Sequence, residues 1–214
     1  MRIVRAEAIA VRLPLHQPFI VSYGRFDDMP SILLRVVTDE GVEGWGEAVP
    51  DPHVTGESFE GAFASLCHTL LPCLADLAVV DSEILHRRMD STLLGNPSIK
   101  AAIDLAVHDA LARTLGVPLF HLLGGRAHAA LAQPYVISIK PPEDAAVEAA
   151  AAVEDGFAEI KLKVGADDGL DIERIRSLDE AVGERAALRV DANQGWDRSR
   201  ALRVIRETSD CGVD

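Results

Sequence analysis

Two short strand patterns separated by one helix constrain the fold of this chain more than any other feature of its sequence. Residues 158–164 (AEIKLKV) and residues 187–191 (ALRVD) each alternate apolar and polar side chains. A helical pattern over residues 168–182, ended by Gly183, occupies the interval between them. Strands that alternate with helices at this spacing indicate a parallel sheet of the α/β class.

The same alternation describes the rest of the C-terminal region. We predict a strand over residues 135–139, helices over residues 143–154 and 197–207, and the start of another strand at Val213-Asp214. That makes three strand–helix units, whereas a complete (β/α)₈ barrel takes roughly 250 residues. A three-stranded sheet leaves an edge unpaired. We therefore expect a truncated barrel that a partner or further chain completes.

The N-terminal part has a different order, with strands first and helices after them. Residues 19–30 and 50–56 are predicted loops. The helix predicted over 97–115 has Asn96 and Gly116 as predicted caps. The glycines at 124 and 125 mark the predicted boundary between an α+β domain, 1–125, and an α/β domain, 126–214. The predicted N-terminal elements are an edge strand over 3–13, a hairpin over 31–38 and 42–48, helices over 58–76, 82–94 and 97–115, and a short helix or turn over 118–125.

The acidic composition restricts the partners of this chain. It has 21 basic and 34 acidic residues, a formal net charge of −13. Nucleic acids and anionic membrane surfaces both need basic patches, so neither is an expected partner. The three cysteines, Cys67, Cys73 and Cys211, form no C-x-x-C pair, and the N-terminus lacks the apolar core of a signal peptide. These features predict a reduced, cytoplasmic protein.

The first strand of the pair has two lysines on one face. Lys161 and Lys163 are two residues apart, so their side chains point to the same side and lie about 7 Å apart along the strand. One interpretation is a half-exposed strand with a solvated lysine face. The other places both lysines inside a barrel near the carboxyl end of the strand, where catalytic groups gather. A lysine there is a candidate general base.

The second strand ends in a carboxylate and an amide. Asp191 and Asn193 share one face of this strand. One interpretation is that Asp191 caps the following turn, because the residues after it favour turns. The other makes Asp191 a metal ligand at the strand end. A single carboxylate does not complete a Mg²⁺ site, since Mg²⁺ takes near-octahedral oxygen coordination.

Considered together, the two strand ends resemble those of the enolase superfamily, most closely its muconate-lactonizing subgroup. Such enzymes use a Lys or His base together with Mg²⁺. Within the subgroup, VTGE and DANQGW look most like dipeptide epimerases. The segments that carry the resemblance over the whole chain are 44–48 (GWGEA), 54–57 (VTGE), 100–104 (KAAID), 122–125 (LLGG), 161–165 (KLKVG) and 191–196 (DANQGW).

The resemblance implies a fold and a set of roles. The fold is an N-terminal α+β capping domain followed by the first part of a modified (β/α)₇β barrel. Lys163 corresponds to the base that removes the α-proton, and Lys161 helps to position the substrate carboxylate. Asp191 corresponds to a ligand of the Mg²⁺ cofactor, and Asn193 supports it by hydrogen bonding. A homo-oligomer is the expected assembly of the full-length protein.

The resemblance also implies which residues contact the substrate, and it implies that part of the active site lies outside this chain. Capping loops, residues 19–30 and 50–58, close over the substrate, so Phe19, Arg25 and Thr55 are candidate substrate-binding residues. The further acidic metal ligands and the opposing lysine would lie beyond the last residue of this chain. We therefore expect the chain to be catalytically incomplete by itself.

The implied activity is removal of the proton α to a carboxylate, through an enediolate, in a racemase or epimerase. The expected substrate is a small carboxylate, a dipeptide of the Ala-Glu type. The alternatives within the subgroup are an N-acyl-amino-acid racemase, an o-succinylbenzoate synthase and a muconate cycloisomerase. A further alternative is a truncated, non-catalytic chain that associates with a partner.

Overall fold

A computed structural model describes residues 1–213. The chain divides into two compact units, the first made of residues 1–14 and 28–127 and the second of residues 15–27 together with the chain from His128 onward. The segment 15–27 thus clusters with the C-terminal unit. The predicted domain boundary between residues 125 and 126 stays a prediction.

The N-terminal region contains a three-stranded sheet in the order β1-β2-β3, followed by helices. The first helix continues into a π-helical turn and a 3₁₀ turn that end at Leu74. The elements are β1 (Ile3–Val21), β2 (Gly24–Thr38), β3 (Glu43–Ala48), α1 (Phe59–Ser65), α2 (Ser82–Thr92), α3 (Pro97–Leu115) and α4 (Leu119–Leu122).

The predicted hairpin is confirmed, but the predicted loop before it is wrong. β2 and β3 pair antiparallel, with Ile32 opposite Ala48. Within residues 19–30, however, β1 continues to Val21 and β2 begins at Gly24. Phe, Ile and Val at positions 19–21 favour extended backbone, so the turn between the strands is confined to residues 22–23.

The backbone of β3 lies directly against α3. A Cβ atom at Gly44 would lie 2.0 Å from the Ala106 carbonyl oxygen, and one at Gly46 would lie 2.0 Å from the Ala102 carbonyl oxygen. Both helix residues are fully buried. The two glycines of the GWGEA segment therefore permit a strand-to-helix contact that no side chain would allow.

The start of α3 departs from the prediction. Asn96 occupies the N-cap position, as predicted, but it adopts a left-handed conformation, and its side chain donates to the Leu94 carbonyl and makes no cap hydrogen bond to the helix. The buried carboxylate of Glu57 accepts from the backbone N–H of Ser98 instead, over 3.0 Å. A negative charge at a helix N-terminus satisfies an otherwise unpaired donor, and it comes from a residue distant in sequence. Gly116 ends the helix in a left-handed conformation, as predicted.

The second unit contains the parallel sheet that the strand–helix alternation predicts. Its strands lie in the order β4-β5-β6, and both neighbouring pairs are parallel. Val213 forms a parallel bridge to Leu188, at the position where the sequence predicts the start of the next strand, while Asp214 lies outside the described residues. The elements are β4 (Tyr135–Ile137), α5 (Pro142–Glu154), β5 (Glu159–Lys163), α6 (Asp168–Val182), β6 (Ala187–Asp191) and α7 (Arg198–Glu207).

The architecture confirms the predicted fold class: an antiparallel sheet with helices, followed by the first strands of a parallel β/α barrel. Among residues 1–213, no helix combines the length and apolar character needed to cross a bilayer. Cys67, Cys73 and Cys211 are all free thiols.

Candidate active site

The polar residues singled out on β5 and β6 meet because the two strands are parallel neighbours. Lys163 lies opposite Asp191 in the register, and both residues end their strands. Ile160 and Leu162, on the other face of β5, are fully buried in the apolar core of the second unit. The period of two residues therefore separates a core face from a lysine face.

Both lysines bind the same carboxylate. The Nζ atom of Lys163 lies 2.8 Å from Oδ2 of Asp191, and the Nζ atom of Lys161 lies 3.0 Å from that same oxygen. The Lys163 side chain is 10% exposed, whereas those of Lys161 and Asp191 are 28% and 27% exposed. The lysine face is therefore partly buried around a charged cluster, which contradicts the interpretation of a solvated surface.

Asn193 joins this cluster through its side chain and its backbone. Its Oδ1 accepts from Nζ of Lys163 over 2.7 Å, and its N–H donates to Oδ1 of Asp191 over 2.9 Å. Asn193 and Gln194 both have positive φ angles, of 44° and 67°. Two consecutive non-glycine residues in this region hold a tight turn under strain, a feature that concentrates at functional sites.

The charges at this cluster set the ionisation of Asp191. Burial alone would raise the pKa of its carboxyl, because burial disfavours the charged form. Hydrogen bonds from Lys163, from the Asn193 backbone and from Lys161 outweigh burial and lower the pKa from 3.8 to about 2. Asp191 is therefore ionised throughout the pH range in which most enzymes work.

Phe19 lies beside the cluster. The centroid of its ring is 5.9 Å from Nζ of Lys163, within the range of a cation–π interaction. The hairpin tip that carries Phe19 is fixed by Ser22, whose hydroxyl donates to the Asn193 carbonyl over 2.7 Å. Sequence reasoning missed the role of Ser22, since no periodicity or motif marks a contact between residues so far apart.

The other two candidate substrate-binding residues make different contacts. Arg25 pairs with Asp27 over 2.9 Å, and both side chains are exposed. Thr55 hydrogen-bonds with its hydroxyl to the backbone of Asp51, which fixes the loop over residues 51–56 in the first unit. The structure thus brings Lys161, Lys163, Asp191, Asn193 and Phe19 together, and substrate contacts of Arg25 and Thr55 stay predictions.

Asp191 also suits a divalent metal. Its carboxylate is a hard oxygen donor at the carboxyl end of a barrel-type strand, where ligands gather. Within residues 1–213, no group of three or more His, Cys, Asp or Glu residues is arranged to hold a metal ion. Because Mg²⁺ often uses one or two carboxylates and takes its other ligands from water and substrate, these residues fit one ligand position of a Mg²⁺ site.

Fold and site define a class of protein. Residues 3–124 match the mandelate racemase / muconate lactonizing enzyme N-terminal domain, and residues 144–214 match the enolase C-terminal-like domain. The chain belongs to the mandelate racemase / muconate lactonizing enzyme family, within the enolase superfamily. The predicted family resemblance is confirmed.

The relatives of this chain include racemases and epimerases, and also a cis-3-hydroxy-L-proline dehydratase. It is 43% identical to the N-succinyl-L-Arg/Lys racemase of Bacillus cereus over its whole length, which is 58% of that protein. It is 36% identical to the L-Ala-D/L-Glu epimerase of Bacillus subtilis, again over 100% of this chain and 58% of the relative. The chain thus spans less than two thirds of the length of these relatives.

Solved structures agree with this relationship. The Bacillus cereus N-succinyl Arg/Lys racemase superposes with a TM-score of 0.97 over 100% of this chain and 58% of that structure, at 43% identity. A dipeptide epimerase from Cytophaga hutchinsonii, complexed with Mg and the dipeptide D-Ala-L-Val, gives a TM-score of 0.95 at 33% identity, with the same coverage.

Proposed function

We propose that the complete protein is a Mg²⁺-dependent racemase or epimerase that removes and returns the proton α to a carboxylate. The observation that carries this proposal is the convergence of Lys161 and Lys163, at the end of one strand, with Asp191 and Asn193, at the end of the next. A basic side chain beside a hard oxygen ligand is the combination that this chemistry needs.

Lys163 is the proposed base. Contacts to Asp191 and Asn193 hold its Nζ at two points, and this fixes the direction from which it approaches a substrate. Lys163 takes the proton from the α-carbon, and the electron pair left behind delocalises into the carboxylate as an enediolate. Return of a proton by Lys163 to the face from which it came exchanges the proton but retains the configuration. Inversion needs a second base on the opposite face, the opposing lysine that the family resemblance implies for the complete protein.

Lys161 and Asp191 are proposed to bind the carboxylate end of the substrate. The ammonium group of Lys161 attracts the carboxylate, and Asp191 serves as a ligand to Mg²⁺. When bound, Mg²⁺ supplies positive charge that offsets the negative charge developing on the substrate carboxylate. Phe19 is proposed to shield the Lys163 side of the site from water.

The proposed substrates are α-amino acids whose nitrogen is acylated. The substrates stated in the names of two relatives share this chemistry. A dipeptide such as Ala-Glu and an N-succinyl arginine or lysine both have a free carboxylate on an α-carbon that bears an amide nitrogen. A dipeptide of the Ala-Glu type is the first candidate. N-succinyl arginine or lysine is the second, favoured by the 43% identity to a racemase of that name.

The test is exchange of the α-proton with solvent. The complete protein with Mg²⁺ is incubated in D₂O with a panel of Ala-Glu-type dipeptides and with N-succinyl arginine and lysine. Proton NMR then follows loss of the α-proton signal. We expect exchange in one of the two substrate groups, and the group that reacts identifies the substrate. Absence of exchange in both groups would overturn the proposal. A homo-oligomeric state and a cytoplasmic location stay predictions.

A further inference from the structure

A buried ion pair on α6 touches the loops that follow all three strands of the second unit. Asp171 is 0% exposed and Arg174 is 5% exposed, and Nη1 of Arg174 donates to Oδ1 of Asp171 over 2.8 Å. The Nε atom of Arg174 also donates to the Lys140 carbonyl in the loop after β4, over 2.6 Å. Neither residue is part of the lysine–aspartate cluster.

The second oxygen of Asp171 joins the two loops that follow β5 and β6, the strands that end in Lys163 and Asp191. Its Oδ2 accepts from the backbone N–H of Gly165 over 2.8 Å and from Nε1 of Trp196 over 3.0 Å. Gly165 comes two residues after Lys163, and Trp196 comes three residues after Asn193. A single buried oxygen atom therefore links the loop after β5 to the loop after β6.

The two loops also touch each other backbone to backbone. A Cβ atom at Gly195 would lie 2.4 Å from the Gly165 carbonyl oxygen, and one at Gly165 would lie 2.5 Å from the Ala192 carbonyl oxygen. Gly165 has a φ angle of 105°, which only glycine adopts without strain. The two loops are therefore in direct backbone contact. Their spacing depends on the hydrogen bonds that Asp171 accepts from Gly165 and Trp196.

We infer that Asp171 is a positioning residue. Its hydrogen bonds to the loops after β5 and β6 set the distance between Lys163 and the Asp191–Asn193 turn. It acts through Gly165 and Trp196 and does not itself touch the reacting atoms. The inference rests on the proposed function, since it assigns Asp171 a part in that reaction. The sequence pattern gave no sign of it, because an aspartate in the first turn of a helix is ordinarily a solvated residue.

The experiment compares the complete protein with the variants Asp171→Asn, Trp196→Phe and Leu178→Ala. Asp171→Asn keeps the side-chain shape but replaces one acceptor oxygen by an amide donor. We expect kcat for α-proton exchange to fall about 10- to 100-fold, as for other residues that orient catalytic groups, while KM changes much less. Trp196→Phe removes one donor and leaves the buried charge paired, so it should give a smaller loss in the same direction.

Leu178→Ala is the matched control. Leu178 is fully buried on the same helix, in the apolar core of the second unit. This variant should lower Tm and retain kcat. If loss of kcat followed loss of Tm equally in all three variants, Asp171 would be a structural residue only and the inference would be overturned. Should Asp171→Asn fail to fold, Trp196→Phe decides between these outcomes.

A second readout does not need activity. In Asp171→Asn and in Trp196→Phe, hydrogen–deuterium exchange of backbone amides should become faster in residues 164–167 and 192–197. It should stay unchanged in β4, β5 and β6. Unchanged exchange in the two loops would overturn the inference. If the wild-type protein exchanged no α-proton in any substrate, the proposed function would fail, and the amide measurement alone would decide whether Asp171 fixes the loops.

Discussion

Lys163 donates from Nζ to Oδ2 of Asp191 over 2.8 Å, although the two residues are 28 positions apart in the sequence. The contact is a direct consequence of parallel pairing, which places the last residue of β5 opposite the last residue of β6. It brings a candidate base and a candidate metal ligand to one point, which is the arrangement that the proposed proton abstraction requires.

The ion pair predicts how Asp191 titrates. Hydrogen bonds from Lys163 and its neighbours hold the pKa of Asp191 at about 2, below its ordinary 3.8. A carboxylate with a lowered pKa stabilises the fold above its unfolded pKa, and this contribution is lost as pH falls from about 4 to 2. Lys163→Met should raise the pKa of Asp191 and reduce that loss, measured by carbon-13 NMR of the carboxyl group and by unfolding at each pH.

The control for this titration is Lys140→Met. Lys140 belongs to the same unit but pairs with Glu148, so its removal should leave the pKa of Asp191 unchanged. An Asp191 carboxyl that titrates identically in the wild type and in Lys163→Met would show that the ion pair does not form in solution.

Asp191 is also predicted to bind Mg²⁺ in the complete protein. Chelation should abolish α-proton exchange, and Mg²⁺ should restore it. Asp191→Asn should weaken Mg²⁺ binding about 10-fold or more, measured by isothermal titration calorimetry, because a neutral amide replaces an anionic ligand. Asp197→Asn changes charge equally but alters only the cap of α7, where asparagine substitutes well. Equal Mg²⁺ affinity in both variants would exclude Asp191 as a ligand.

Two glycine substitutions are predicted to change the free energy of unfolding in opposite directions. One is in β3, where the strand packs closely on α3, and the other is a control in α6. Gly46→Ala places a Cβ atom 2.0 Å from the Ala102 carbonyl oxygen, so it should lower the free energy of unfolding by about 1–3 kcal/mol or more. Gly169→Ala, in the first turn of α6, has its nearest neighbour at 3.4 Å. It should stabilise by less than the about 1 kcal/mol that separates alanine from glycine in a helix interior, because Gly169 lies in the first turn. Urea denaturation measures both, and a neutral Gly46→Ala would contradict the packing.

Phe19 is predicted to contribute through its ring face. Phe19→Leu keeps an apolar side chain but removes the interaction with the Lys163 ammonium. We expect kcat/KM to fall about 2- to 5-fold, the equivalent of a cation–π interaction of about 0.5–1 kcal/mol. Phe26→Leu, on the same hairpin, removes a ring that packs on Tyr23 and should have little effect. Equal losses in the two variants would indicate disturbance of the hairpin alone.

The parts of this fold that the sequence predicts are those governed by local periodicity. The alternation in β5 and β6 and the intervening helix α6 led to a parallel sheet, and parallel strands bring Lys163 to Asp191. The boundaries of α6 and β6 agree with the predicted ones. Short-range pattern is sufficient there, because each element is amphipathic and has a distinct turn at its ends.

The parts that sequence reasoning missed depend on contacts between distant residues. The extension of β1 to Val21 occurs although the segment resembles a polar loop. The side chain of Glu57, and not that of Asn96, accepts a hydrogen bond from the N-terminus of α3, because the fold brings a carboxylate there. The sequence likewise gives no reason to distinguish Asp171 from other polar helix residues. In the structure its carboxylate accepts hydrogen bonds from two separate loops. Tertiary packing decides the contacts of Glu57 and Asp171, and no local signal accompanies them. The extension of β1 does have a local signal, the β-favouring side chains at positions 19–21.

Exchange of the substrate α-proton in the Lys163→Met variant tests the central claim most directly. The complete protein with Mg²⁺ is compared with this variant in D₂O, using the substrate that the wild type accepts, and circular dichroism verifies that the variant is folded. The account predicts rapid exchange in the wild type and none above background in Lys163→Met for the enantiomer whose proton faces Lys163. Exchange at the wild-type rate in the folded variant would contradict Lys163 as the base and with it the proposed site.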